Sequence, residues 1–199
     1  MKATEQIIEA VQLLQGAAID RSIVVALDGH SGAGKSTLAA AVTEAIDAAL
    51  VHVDDFYRDM PESERLDLTA ARGVDRYFDW ERLRADAIIP LAKRGRARYG
   101  CFDWVTGHGL TKAITVDPRD VVIVEGVYAA RPEFDDLLDL KVLVEVQSAT
   151  REERRQRRAR TVSRDAPEFW DTGWNSAERH YFRTIRRRET FDLVVRGDH

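Results

Sequence analysis

Cysteine is almost missing from this chain: Cys101 stands alone among 199 residues. That excludes an internal disulfide and a cysteine-based metal cluster, and it fits a reducing compartment. Long apolar runs are missing too. No stretch reaches the roughly 18 residues that a membrane-spanning helix needs, and the opening segment "MKATEQIIEAVQLLQG" is amphipathic and carries acids, unlike a secretory signal. These absences lead to the expectation of a cytoplasmic protein with no membrane partner. Lysine is scarce, five among 30 basic residues. Residues 148–199 hold thirteen arginines and nine acids, +13 − 9 = +4, which leaves −8 for the rest of a chain whose formal net charge is −4. Basic charge gathered in one segment suits a bound anion better than a nucleic-acid face, and the planar guanidinium fork matches phosphate oxygens.

What is present is a strong pattern. With 199 residues, 44% of them hydrophobic, the chain can bury one α/β-sized core, so a single domain over residues 1–199 is expected. Ile7, Ile8, Val11 and Leu14 recur at helical spacing and predict a helix from about residue 3 to Gly16. "SIVVALDG" (22–29) is a near-continuous β-branched run, as a strand buried on both faces should be. "ALVHV" (49–53), "DVVIVEG" (120–126), "LKVLVEV" (140–146) and "FDLVV" (191–195) read as four further strands. Strands alternating with helical stretches predict a five-stranded, doubly wound parallel α/β sheet. Residues 58–118 fit less simply: "DWERLRADAIIPLAKRG" (79–95) predicts a helix, and "YGCFDWVTGHGL" (99–110) reads as a hairpin or a loop.

Between the first strand and the helix after it lies "GHSGAGKST". Gly29, four residues, then Gly34, Lys35 and Ser36 is the phosphate-loop pattern. Glycines let the backbone curl so that successive N–H groups point inward, and the following helix adds its positive end. Lys35 contributes a point charge at the outer phosphates, while the Ser36 hydroxyl suits Mg²⁺. The binding set predicted for the nucleotide is therefore Gly29, His30, Ser31, Gly32, Ala33, Gly34, Lys35, Ser36 and Thr37. No Asn-Lys-x-Asp segment follows a strand, so the expected nucleotide is ATP rather than GTP.

"LVHVDDFYRD" (50–59) runs from apolar residues into two aspartates at a strand's carboxyl end, where open α/β sheets bind their ligands. Side chains alternate along a strand, so Asp54 and Asp55 are expected to face opposite ways, and the pattern does not choose between them. Glu125 closes the third strand. Aromatics gather at Tyr77, Phe78, Trp80, Tyr99, Phe102 and Trp104; they could stack on a flat base, with Asp75, Asp79 or Asp103 holding hydroxyls, or they could form the small core of an insertion. "SATREERRQRRART" (148–161) places Thr150 and Glu153 as a capping box ahead of an arginine-rich helix.

The loop "GHSGAGKST", the strand end "DDFYR", the "VIVEG" strand and the later arginine-rich helix, in this order, resemble the uridine kinase group of P-loop kinases over roughly residues 20–195. The resemblance implies a P-loop NTPase fold with an arginine-rich lid at about 145–170 and an acceptor-binding region at about 58–118. It implies ATP and Mg²⁺ as cofactors, and Asp54 as the base that receives the proton of the acceptor hydroxyl. Lys35, Arg157 and Arg158 would stabilise the transferring group, with Arg154 on the nucleotide and Ser36 with Glu125 on the metal. Tyr57, Phe78, Asp79, Phe102, His108 and Arg164 would contact the acceptor, a pyrimidine nucleoside such as uridine or cytidine. The Arg164 and Asp165 pair arrives three residues later than the family pattern, and "GVDRYFDW" replaces the family's Asp-His-Pro-Asp. Two alternatives stand beside this reading: a kinase for a sugar, sugar phosphate or pantothenate-like alcohol, and a nucleotide-switch ATPase. The expected partners are ATP and a small-molecule acceptor, not nucleic acid, with a homo-oligomer left open.

Overall fold

The computed structural model describes residues 2–16, 20–151, 153–154 and 173–197. Five parallel strands make the main sheet: β1 (Ile23–Asp28), β2 (Ala49–His52), β5 (Val121–Glu125), β6 (Leu140–Glu145) and β7 (Leu193–Arg196), in the spatial order β2-β5-β1-β6-β7. β3 (Ala97–Tyr99) and β4 (Ile114–Val116) form a separate antiparallel pair. The five runs expected to be strands are strands.

β1 lies in the middle of the sheet, and all six of its residues are buried. Ile23, Val25 and Leu27 face the layer made by α1 (Ala3–Gln15) and α2 (Lys35–Ile46), together with Ile7, Val11, Leu38 and Val42. Val24 and Ala26 face the opposite core, which holds Leu83, Ile88, Leu91, Phe134 and Tyr181. Side chains leave a strand in alternation, so a central strand covered on both faces has to be apolar at every step.

Two short helices, α3 (Glu62–Leu66) and α4 (Ala70–Arg76), follow the β2 strand end. The helix expected at 79–95 is α5, built from Trp80–Arg82, a π-type turn Leu83–Ile88 and Ile89–Ala92. Asp79 caps it by accepting the Arg82 N–H at 3.3 Å. Pro90 supplies no N–H to the helical ladder, and the wider turn just before it adapts the helix to that loss. The segment at 99–110 is a hairpin excursion: β3 pairs with β4, and a further bridge joins Phe102 to Leu110. α6 (Asn175–His180) runs into a second π-type turn, Tyr181–Ile185, and returns the chain to the edge strand β7. Tyr181 is buried and Phe182 half-buried, while Ile185 is exposed. Among the described residues, no helix is long and apolar enough to cross a membrane.

Candidate active site

β2, β5 and β1 are neighbours in the sheet, so their carboxyl ends open side by side. From β1 the chain enters the loop 29–34, and Gly34, with φ of 92°, turns it into α2. Gly29 has φ of 149°, and a Cβ there would sit 2.4 Å from the Val144 carbonyl oxygen, so only glycine fits where the loop crosses β6. Lys35 is buried, and its Nζ donates to the carbonyls of Gly29 at 2.8 Å and His30 at 3.1 Å. The ammonium thus lies inside the loop that the sequence pattern assigns to phosphate.

Ser36 lies in the first turn of α2, and its hydroxyl donates to Glu125 Oε2 at 3.3 Å. The other Glu125 oxygen meets His52 Nδ1 at 2.6 Å. Parallel pairing makes this contact, because His52 and Glu125 are register partners in β2 and β5. Burial alone would push the Glu125 carboxyl up, but the His52 bond, the Lys35 charge and the Ser36 hydroxyl together hold it below the ordinary range. The same bond raises His52, against the opposing effect of its own burial. Among the described residues, no group of three or more His, Cys, Asp or Glu side chains converges on a metal position.

Asp54 and Asp55 do not lie on a strand. β2 ends at His52, and Val53–Phe56 is a 3₁₀ turn. The expectation of opposite faces therefore gives way to a turn in which successive side chains are spread about 120° apart. Asp54 is exposed. Asp55 is half-buried, and burial raises its carboxyl despite the His52 charge and a hydrogen bond with Cys101. The backbone of this turn is laced to two later segments: Phe102 N–H donates to the Asp55 carbonyl at 2.7 Å, and Asp79 N–H to the Phe56 carbonyl at 2.7 Å.

The aromatic residues pack on one another. The Tyr57 ring centroid lies 5.6 Å from Phe78, 5.1 Å from Phe102 and 5.0 Å from Trp104. Trp174 enters the same cluster, 5.0 Å from Tyr77 and 5.5 Å from Phe78. Tyr57, Phe78, Phe102 and Trp174 are all buried. Asp79, besides capping α5, approaches Arg58 at 3.4 Å. His108 stands exposed at the hairpin tip, where Asp59 holds its Nδ1 at 3.2 Å and the Gly109 N–H at 2.8 Å.

Of the arginine segment, Arg157, Arg158 and Arg164 lie outside the described residues. Arg154 does not: its Nη1 donates to the Gly197 carbonyl at 3.1 Å and lies 3.5 Å from that of Gly32, beside the phosphate loop. Residues 148–151 are already helical, and Arg151 N–H donates to the Gln147 carbonyl at 3.0 Å. Thr150 is therefore inside the first turn rather than at the expected cap.

Three residues around the site escaped the sequence reading. His52 is one; its signal was the parallel register with Glu125. Asp28, fully buried at the end of β1, accepts N–H groups from Gly29, Tyr128 and Ala130 and the Tyr181 hydroxyl, at 2.7 to 3.0 Å. Burial raises this carboxyl in spite of those donors. Glu178 on α6 reaches His30 and Ser31 from 148 and 147 positions away in sequence, separations that no local pattern announces.

A parallel sheet with a glycine loop between β1 and α2, a buried lysine inside that loop and an acid at the end of a neighbouring strand defines a P-loop nucleotide-binding fold. Residues 24–168 match the family described as Phosphoribulokinase / Uridine kinase, and this chain belongs to it. A uridine kinase from Clostridium botulinum is 30% identical over 156 residues, covering 71% of this chain and 73% of the relative. A uridine kinase from Alkaliphilus metalliredigens is 27% identical over 145 residues, 70% and 69% of the two chains. Among solved structures, a possible uridine kinase from Bacillus stearothermophilus shares the fold with a TM-score of 0.67 at 19% identity, covering 96% of this chain and 99% of that one. A candidate fructose transport system kinase from a Silicibacter species superposes with a TM-score of 0.66 at 28% identity, covering 92% and 97%.

Proposed function

We propose that the chain transfers the terminal phosphoryl group of ATP, with Mg²⁺, to a hydroxyl of a small metabolite, and that a pyrimidine nucleoside, uridine or cytidine, is the first acceptor to test. The observation that carries the reading is the adjacency of three strand ends: β1 leads into the loop holding Lys35, β5 ends at Glu125, and β2 runs into the turn bearing Asp54. The residues present fit the metal. Ser36 and Glu125 offer a hydroxyl and a carboxylate 3.3 Å apart, a hard oxygen set of the kind Mg²⁺ takes together with phosphate oxygens and water. Bound Mg²⁺ supplies positive charge against the phosphates.

The chain's own residues do the rest. Lys35 leaves the Gly29 and His30 carbonyls to meet the outer phosphates, the loop N–H groups hold them, and Arg154, with Arg157 and Arg158, adds guanidinium charge. Asp54 accepts the proton of the acceptor hydroxyl as its oxygen bonds to phosphorus and the bond to the departing ADP oxygen breaks. Water is a poor competitor if the acceptor is positioned first.

Uridine kinase relatives support the nucleoside. A second reading, a smaller sugar-like acceptor, has one observation in its favour: the Tyr57, Phe78, Phe102 and Trp174 rings pack edge to face and are buried, which leaves little of their surface for a base to stack on. Coupled ADP-release assays across uridine, cytidine, ribose, fructose, sugar phosphates and pantothenate separate the two. We expect acceptor-dependent turnover, with Asp54→Asn lowering kcat by about 100-fold or more while ATP affinity survives. ADP release indifferent to every acceptor would instead identify a nucleotide-switch ATPase.

A further inference from the structure

Glu178 lies in the middle of α6 and is 2% exposed. Among the described residues, no lysine or arginine pairs with it directly; its ion-pair partner is His30. Its carboxylate receives the Ser31 N–H at 3.2 Å from each oxygen, the Ser31 hydroxyl, the His30 ring through Nδ1 at 3.0 Å, and the Trp174 indole N–H at 2.6 Å. Trp174 Nε1 also lies 3.1 Å from the Ser31 hydroxyl. Burial would push this carboxyl up, yet the His30 and Ser31 bonds and the charge of Lys35 hold it below its ordinary range, so it is an anion. A buried anion is costly unless donors surround it, and here one set comes from across the fold and the other from Trp174, one turn earlier on the same helical stretch, whose ring reaches into a different cluster. Ser31 and His30 belong to the phosphate loop. Trp174 belongs to the aromatic cluster, against Tyr77 and Phe78.

Fastening α6 to the phosphate loop needs only the His30 and Ser31 contacts; the bond to Trp174 instead fixes a ring that packs on Tyr77 and Phe78. The Glu178 carboxylate joins both. Any movement of the Ser31 backbone when phosphates seat in the loop changes the pull on the indole, and any shift of the indole changes the loop. We propose that Glu178 is a positioning residue that couples the nucleotide loop to the acceptor side of the site, with Trp174 as its contact there. The inference rests on the kinase reading above. Coupling of this kind is reciprocal: whatever the acceptor side does to nucleotide affinity, the nucleotide does to the acceptor side.

The test uses the full chain and magnesium AMP-PNP as the probe, followed by calorimetry and by tryptophan emission, with the contribution of one ring isolated as the difference between wild type and Trp174→Phe. We expect AMP-PNP to shift Trp174 emission in wild type and not in Glu178→Gln. We also expect Trp174→Phe to weaken AMP-PNP binding about 5-fold or more, within the usual span of coupled sites, with partial recovery of coupling in Glu178→Asp relative to Glu178→Gln. A role confined to holding α6 would lower the melting temperature of Trp174→Phe and leave the affinity of the folded protein unchanged. Should Glu178→Gln fail to fold, Trp174→Phe alone decides. Unchanged affinity in Trp174→Phe, with Trp174 emission indifferent to saturating AMP-PNP, overturns the coupling and leaves the kinase reading standing. Failure of wild type to bind AMP-PNP removes both.

Discussion

His52 and Glu125 hold each other across adjoining strand ends, and their shifts have opposite signs. A raised imidazole contributes stability that is fully present below its ordinary value of 6.5 and is lost as pH rises through the higher folded value. A depressed carboxyl contributes stability that is present above its ordinary value of 4.5 and is lost as pH falls through the lower folded value. Both contributions are complete between those two ordinary values. From about pH 6 to about pH 9 the melting temperature of wild type should therefore fall further than that of His52→Gln. The His52 side chain is 43% exposed, so solvent screening keeps the difference modest. Thermal melts of the two proteins across that range check the sign, and parallel curves would remove the linkage.

At the scale of elements, the turn Val53–Phe56 and the loop after β5 meet at Gly126. Its φ is 147°, and a Cβ there would lie 2.5 Å from Val53 Cβ. Gly126→Ala should cost about 1–3 kcal/mol from overpacking alone, with more from the backbone conformation. Because Val53 begins the turn that bears Asp54, the same change should lower kcat; urea denaturation and ADP-release assays measure the two effects. The strands were legible in the sequence because a parallel sheet covered on both faces demands unbroken apolar runs. The phosphate loop was legible because its chemistry is packed into consecutive residues. What stayed hidden was set by tertiary meetings: β2 gives way to a 3₁₀ turn before the two aspartates, and the helix near 148 starts a turn earlier than Thr150 suggested. The roles of Asp28 and Glu178 depend on partners as far as 153 and 148 positions away.

For the molecule as a whole, a ligand that binds only the folded state stabilises it by mass action. Magnesium ATP at about 100 times its dissociation constant should add about 2.7 kcal/mol and raise the melting temperature by about 5 °C or more. Lys35→Ala should respond by less than about 1 °C at the same concentration, because the buried ammonium is the one full positive charge that α2 brings into the loop. Differential scanning fluorimetry reads both, and equal shifts in the two proteins would separate ATP binding from this loop.

The edge strand β7 has one consequence for how the protein is made. Gly197, just past that strand, donates its N–H to the Glu145 carbonyl at 2.7 Å and receives Arg154 on its own carbonyl. One wall beside the phosphate loop is thus supplied by residues that leave the ribosome more than 160 positions after the loop itself. A nascent chain carries the glycine motif well before β7 has emerged to wall it, so competence for nucleotide lags the appearance of the motif itself.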